Sequence, residues 1–235
     1  MTTSEPFDAD DPFALHFHRE PLGPVGIDLL VLRDFAAVNP DPSAWEAGVD
    51  WLRAEGRTVE VVTEVVDGAE PQIGEQIRRF LDASAQPIVA ICRAERPPSR
   101  EHWEPLLKGL DQADHVVGGR SANPPAAAWR ALARIVRRIV LGVPVADVHS
   151  TMRLHRAEKL REIPLQSGSS FVDVEILAKA TFLGHVLDEP TIPALPGPTW
   201  TRGRLRDLAL VFKRPTFRRP PELGPDSRPF EQSQG

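Results

Sequence analysis

The sequence predicts an α/β domain with a mostly parallel sheet and helices on both faces, and three observations carry that prediction. Apolar, β-branched runs recur through the first half, as GIDLLVL (26–32), TVEVVTEVV (58–66) and IVAIC (88–92). Between them lie stretches whose apolar residues repeat at helical spacing. Strands that alternate with helices of this length need crossovers lying on the sheet, which makes neighbouring strands parallel.

The elements follow in order. The first strand, 26–32, ends at Arg33-Asp34, and a loop with two Asx-Pro pairs (NPDPS) leads to Ser43 as an N-cap. The helix 44–55 carries Trp45, Val49 and Leu52 on one face and stops at Gly56. The second strand, 58–66, closes at Asp67-Gly68. A helix over 72–83 puts Ile73, Ile77, Phe80 and Leu81 on one side and Arg78 and Arg79 on the other. The third strand breaks into Arg93-Ala94-Glu95-Arg96 and a Pro-Pro pair, ahead of a helix at 101–110 and a strand at 115–117. Residues 125–141 form the longest helical pattern. Arg130, Arg134, Arg137 and Arg138 lie along one of its faces, as a solvated surface or as a phosphate- or membrane-facing stripe. A strand near 152–154, a helix at 172–183 and a short strand at 185–187 complete the pattern.

Composition narrows the class. The 235 residues, 41% hydrophobic and 26% charged, suit a soluble globular chain. The lone Cys92 excludes an internal disulfide framework, cannot build a zinc site by itself, and sits in an apolar strand as a structural thiol. No apolar stretch approaches the ~20 residues that span a bilayer. The start of the chain, MTTSEPFDADDPF, lacks a signal-peptide core, so a cytoplasmic location is expected. The net charge of -5 hides an acidic head (1–25, expected to be disordered) and a basic tail segment. Over 199–220, seven basic residues (Arg202, Arg204, Arg206, Lys213, Arg214, Arg218 and Arg219) face Asp207 alone, and 221–235 is expected to be disordered. Such a tail suits anionic lipid or a solvated face. Nucleic acid is disfavoured, because the arginines lack aromatic interleaving and the chain is acidic overall.

Three blocks in the second half are more specific. PPSREHWEPLLKGLDQADHVVGGRS (97–121) has a Pro-Pro start, a helix, and then Ala-Asp-x-Val-Val-Gly-Gly-Arg. LGVPVADVHSTMRLHRAEKLREI (141–163) has a Gly-x-Pro-x-x-Asp turn, then Ser-x-x-Arg and a basic helix. SSFVDVEILAKATFLGHVLDEPTIP (169–193) opens a helix with Asp-x-Glu and continues to Leu-Gly-His-x-Leu-x-Glu-Pro-x-x-Pro. In this order, over roughly 88–193, they resemble the family 2 glycosyltransferases of the GT-A fold, particularly the dolichyl- or polyprenyl-phosphate sugar synthases.

The resemblance implies one GT-A domain over 26–198. It would take a nucleoside diphosphate sugar on its N-terminal half and transfer the sugar to an acceptor such as a polyprenyl phosphate at the inner membrane surface. Such enzymes hold a divalent metal on the diphosphate through an Asp-x-Asp at a strand end, where hard oxygen ligands suit Mg²⁺ or Mn²⁺. This chain has Cys92-Arg93-Ala94-Glu95 there, leaving Glu95 as the one possible metal ligand. An arginine cannot bind Mg²⁺ but can pair bidentately with phosphate, so Arg93 either replaces part of the metal's charge or marks a site that no longer catalyses. In that second case the protein is an inactive relative that binds a nucleotide, a lipid phosphate or a protein partner.

Other residues carry over one by one. Asp67 matches the Asp of a nucleotide-holding strand end, or aligns instead with a later strand. Asp147 falls at the Asp of the family's Asp-x-x-Ser-Gly-Phe-Arg block, as general base, as orienter of an acceptor phosphate, or as a stabiliser of the turn after Pro144. Ser150 and Arg153 match the same block, while Thr151 and Met152 depart from it. Arg120, after Gly118-Gly119, and Arg153 are candidates for phosphate contact or for plain ion pairs. The resemblance puts Ser150, Asp173 and Glu175 on the acceptor side; Asp173 also suits a plain helix N-terminus, and Glu175 matches a Glu that organises that side. His149 and His155 lack a nearby third ligand and read as ordinary polar residues.

Overall fold

The three apolar runs become three parallel strands, β1 (Ile27–Asp34), β2 (Val59–Val66) and β3 (Ile88–Cys92), with Ile27 of β1 in register with Val59 on one side and Ile88 on the other. The computed structural model describes residues 21–34, 42–66, 72–120, 142–195, 207, 211 and 213–216. The acidic head, Asp67, the helical pattern at 125–141 and most of the basic tail therefore lie outside the described residues.

Helices α1 (Pro42–Ala54), α2 (Ile73–Ala83) and α3 (Arg100–Leu110) link and follow these strands. Pro97-Pro98 ends the loop after β3. At the start of α3 the Ser99 amide donates to His102 Nδ1 at 3.1 Å, a capping box with histidine in the usual glutamate place. Then come β4 (His115–Val117), β5 (Gly119–Arg120), β6 (Met152–Arg156), α4 (Ala157–Arg161), α5 (Val172–Phe182), β7 (Leu187–Asp188) and β8 (Thr191–Ile192).

The main sheet has six strands in the order β2-β1-β3-β6-β4-β7, and β5 pairs with β8 beside it. β6 runs antiparallel to both β3 and β4, so the sheet is mixed. This orientation sets the start of β6 beside the end of β3, with Met152 opposite Cys92 and Arg153 opposite Ile91.

Strand alternation divides the core. Leu29, Val31, Ala90 and Cys92 point to one face, under Trp45, Val49 and Leu52 of α1 and Trp103, Leu106 and Leu110 of α3. Leu30, Leu32, Val89 and Ile91 point to the other, under Ile73, Ile77 and Phe80 of α2 and Ile176 and Ala180 of α5. Each buried Leu, Ile, Val or Phe among them contributes about 1.5–3 kcal/mol by leaving water. Burial pushes the Cys92 thiol up to about 12, so it packs as a small apolar group. The tail returns to the domain, because the Asp207 carboxylate accepts from the amide and hydroxyl of Ser169. Among the described residues no helix is long and apolar enough to cross a membrane.

Candidate functional site

In an open α/β sheet the ligand edge lies at the carboxyl ends of the parallel strands. Arg93 follows β3 at this edge, Arg153 enters from the start of antiparallel β6, and Asp173 comes from the first turn of α5. The three meet in one buried cluster. Arg93 grips Asp173 with both arms of its guanidinium, at 2.5 Å to Oδ2 and 2.6 Å to Oδ1. Arg153 reaches Asp173 Oδ1 at 2.6 Å and the Ser150 carbonyl at 3.2 Å. His149 Nδ1 lies 3.4 Å from Asp173 Oδ2.

Charge and burial decide what this cluster is. Burial alone would raise the Asp173 carboxyl, but the Arg153 and Arg93 guanidinium groups outweigh it and hold the carboxyl well below the usual range. Burial lowers Arg93 from its ordinary value and Asp173 opposes it, so the guanidinium stays charged. Two guanidinium groups against one carboxylate leave a surplus positive charge at the strand end. Donor capacity also remains, since Arg93 Nε and Arg153 Nε have no hydrogen-bond partner among the described residues.

A divalent cation does not fit these residues. The one carboxylate on the loop after β3, Glu95, is exposed, and the buried carboxylate beside it is held by two cations. A hard ion requires several converging oxygens. Among the described residues no group of three His, Cys, Asp or Glu side chains is placed to hold a metal.

The second half of the chain supplies a turn beside the cluster. The Glu189 carboxylate accepts from the amides of Ala146 (2.6 Å) and Asp147 (2.7 Å), and the Asp147 carbonyl accepts from the Ser150 amide at 3.1 Å. Asp147 is half-buried in this turn. The Ser150 hydroxyl is buried and spans the Gly118 carbonyl (2.6 Å) and the Met152 carbonyl (2.9 Å), tying the end of β4 to the start of β6. Arg120 closes β5 beside Ile192 of β8. The two glycines before it admit protein: a Cβ on Gly118 would meet Ile192 Cδ1 at 2.4 Å, and one on Gly119 would meet Glu189 Cγ at 3.0 Å.

Glu175 is fully buried on α5, where it accepts from the amides of Gln166 and Ser167 (2.8 Å each) and from Lys179 Nζ at 2.7 Å. Lys179 in turn donates to the Pro164 carbonyl, so the pair pins the loop 164–167. Thus Arg93, Arg153, Asp173 and Ser150 come together, with His149 at the rim and Asp147 in the adjoining turn. Glu175 lies two residues beyond Asp173 on α5 and faces the loop 164–167 instead. Sequence reasoning gave Glu189 and Lys179 no role. The Glu175–Lys179 spacing of four on one helix is a signal that could have found the second.

No protein-family model and no curated protein matches the chain in sequence. Solved structures do match in shape. Glucosyl-3-phosphoglycerate synthase from Mycobacterium tuberculosis, in complex with Mn²⁺, UDP and phosphoglyceric acid, aligns over 84% of this chain and 76% of its own, with a TM-score of 0.53 and 14% identity. The same enzyme with Mg²⁺ and UDP aligns over 84% and 77%, with a TM-score of 0.52 and 14% identity. Together with the mixed sheet, the likeness shows a GT-A-like fold for this chain.

Proposed function

We propose that the chain takes a nucleoside diphosphate sugar at the carboxyl ends of β1 to β3 without a divalent ion, and passes the sugar to an acceptor such as a polyprenyl phosphate at the inner membrane surface. The observation that carries this reading is the surplus positive charge of the Arg93–Asp173–Arg153 cluster, lying where the resemblance places a metal. The leaving diphosphate gains negative charge as the sugar C1–O bond breaks, and a fixed cationic cluster favours that charge without reorganising. The acceptor oxygen forms the new bond to C1, with Asp147 taking its proton or orienting the acceptor phosphate. The Glu189 clamp holds the turn that carries Asp147. Glu95, Arg120, Asp67 and the basic tail remain candidates for the donor and lipid contacts.

A second reading, binding without turnover, is favoured by the grip of Asp173 on both arginines, which leaves Arg93 nearly buried. Titration calorimetry with UDP, GDP and their sugar conjugates in EDTA tests the donor site, and product analysis with polyprenyl phosphate vesicles tests transfer. Metal-independent binding with product supports the first reading, and binding without product supports the second. Binding that requires Mg²⁺ or Mn²⁺ overturns the arginine-for-metal site, and no binding at all removes both donor readings.

A further inference from the structure

Away from the Asp173 cluster, β4, β6 and the turn before β7 bring three imidazoles into single file. His155 Nδ1 lies 3.0 Å from His115 Nδ1, His115 Nε2 lies 3.0 Å from His185 Nδ1, and His185 Nε2 lies 3.0 Å from Glu162 Oε2. His115 and His155 are fully buried, whereas the Glu162 side chain is half exposed. The two ring nitrogens of His115 serve different partners, so the three rings cannot converge on one cation.

The carboxylate fixes every proton in this row. Glu162 only accepts, so His185 carries its proton on Nε2 and accepts on Nδ1. His115 must then carry its proton on Nε2 and accept on Nδ1, which leaves His155 with its proton on Nδ1. The contacts take one proton each, as many as three neutral rings provide. An added proton keeps every contact only on His155 Nε2, which is buried and has no hydrogen-bond partner among the described residues. Anywhere else in the row it sets two N–H groups against each other and opens a contact. Glu162 does not take it near neutral pH, because the hydrogen bond from Lys159 holds that carboxyl below its usual value.

The surroundings agree with a neutral row. Burial, helped by His185, brings His115 down to about 3, and burial with His115 and Arg153 holds His155 well below its usual value. The charged groups facing the row are Asp114 at the start of β4, Arg153 on β6, Asp173 on α5, Lys159 on α4 and Glu162 just after it. β3 sets Val89 beside His155, and β7 sets Leu187 beside His115.

We propose that this row is an acid-sensitive catch on the sheet edge: neutral, it fastens residues 183–192 to β4 and β6; protonated, it releases them and loosens the turn that carries Asp147. The open end is the Glu162–His185 contact, since Glu162 meets solvent and His185 directly follows the turn at 183–184. β7 beyond it is a two-residue edge strand, held to β4 through His115–Leu187 and Val116–Asp188. Glu189 follows directly, and its carboxylate holds the Ala146 and Asp147 amides. Once released, an imidazole returns toward its ordinary pKa near 6.5. Each pH unit below that favours the opened segment by up to about tenfold per ring. Only the consequence for catalysis rests on the proposed role of Asp147; the catch needs no ligand and stands or falls without turnover.

Hydrogen–deuterium exchange of the full chain between about pH 7.5 and 5, corrected for intrinsic rates, reads the catch directly. The expected result is loss of protection over 185–192 and at the Ala146 and Asp147 amides, by up to about tenfold per pH unit below about 6.5, with β1 unchanged. In His115→Phe the same amides should show no such pH dependence. Should that variant fail to fold, imidazole ¹⁵N spectra of the unaltered chain decide: protons on His185 Nε2, His115 Nε2 and His155 Nδ1 support the row. A different tautomer order, or protection that follows intrinsic exchange alone, overturns the proposal. Loosening that leaves Ala146 and Asp147 protected overturns the link to the turn.

Discussion

Asp173 is the residue on which the strand end turns. Removing its charge would leave two buried guanidinium groups without a counter-ion, and breaking a buried pair from one side costs about 3–5 kcal/mol. Asp173→Asn should therefore lose that much stability in urea denaturation, with Arg93 and Arg153 otherwise intact. A loss under about 1 kcal/mol would mean the cluster is wetter than its burial indicates. At this scale the sequence was half legible. Arg93 and Arg153 stood out as cations in a place where the resemblance expects acids or phosphate contacts. Their shared partner did not stand out, because Asp173 reads equally well as a helix-dipole residue and lies 80 positions from Arg93. Pairings across such distances depend on tertiary geometry, which no local pattern encodes.

Elements were easier to read than their attachments. β1, β2, β3 and the helices between them follow from apolar runs and helical periodicity, since both faces of the central strands β1 and β3 are covered and the edge strand β2 is still mostly valine. β5, β7 and β8 have only two residues each and carry no period to detect. The loop 164–170 likewise shows no pattern, yet it is held by Glu175, Lys179 and Asp207. It also sits on α2, where the Gly74 amide donates to the Gly168 carbonyl at 3.0 Å. A Cβ on Gly74 would stand 1.8 Å from the Ser167 carbonyl oxygen, and a backbone atom cannot swing aside as a side-chain end can. Gly74→Ala should cost about 1–3 kcal/mol by overpacking despite the better helix propensity of alanine, a sign that thermal denaturation would check. A stabilised variant would show that the loop yields.

For the whole molecule, acid is the informative stress. His115 and His155 bind protons in the unfolded chain near pH 6.5 but not in the closed fold, where His115 stands at about 3. Over the range in which the fold stays closed, the unfolded state therefore takes up more protons, and stability falls as pH drops. The slope is up to about 1.4 kcal/mol per pH unit for each ring. Asp173 acts lower: its depressed carboxyl contributes stability above about pH 3.9, lost as pH falls further through its folded value. Urea titrations at a series of pH values should show the histidine loss first, and a flat profile between about pH 6.5 and 5 would contradict it. The GT-A architecture was legible from strand order and three motif blocks, while the histidine row was not, because His155 meets His115 only through the antiparallel β6 and His185 meets it only through the pairing of β7 with β4. The distance between Arg93 and its carboxylate also has a consequence in time. At about 5–20 residues per second, a ribosome that has just made Arg93 needs about 4–16 s more to reach Asp173. Through that interval the nascent β1–β3 half carries a cation that cannot yet be buried, so its sheet edge stays unsealed until the second half of the chain arrives.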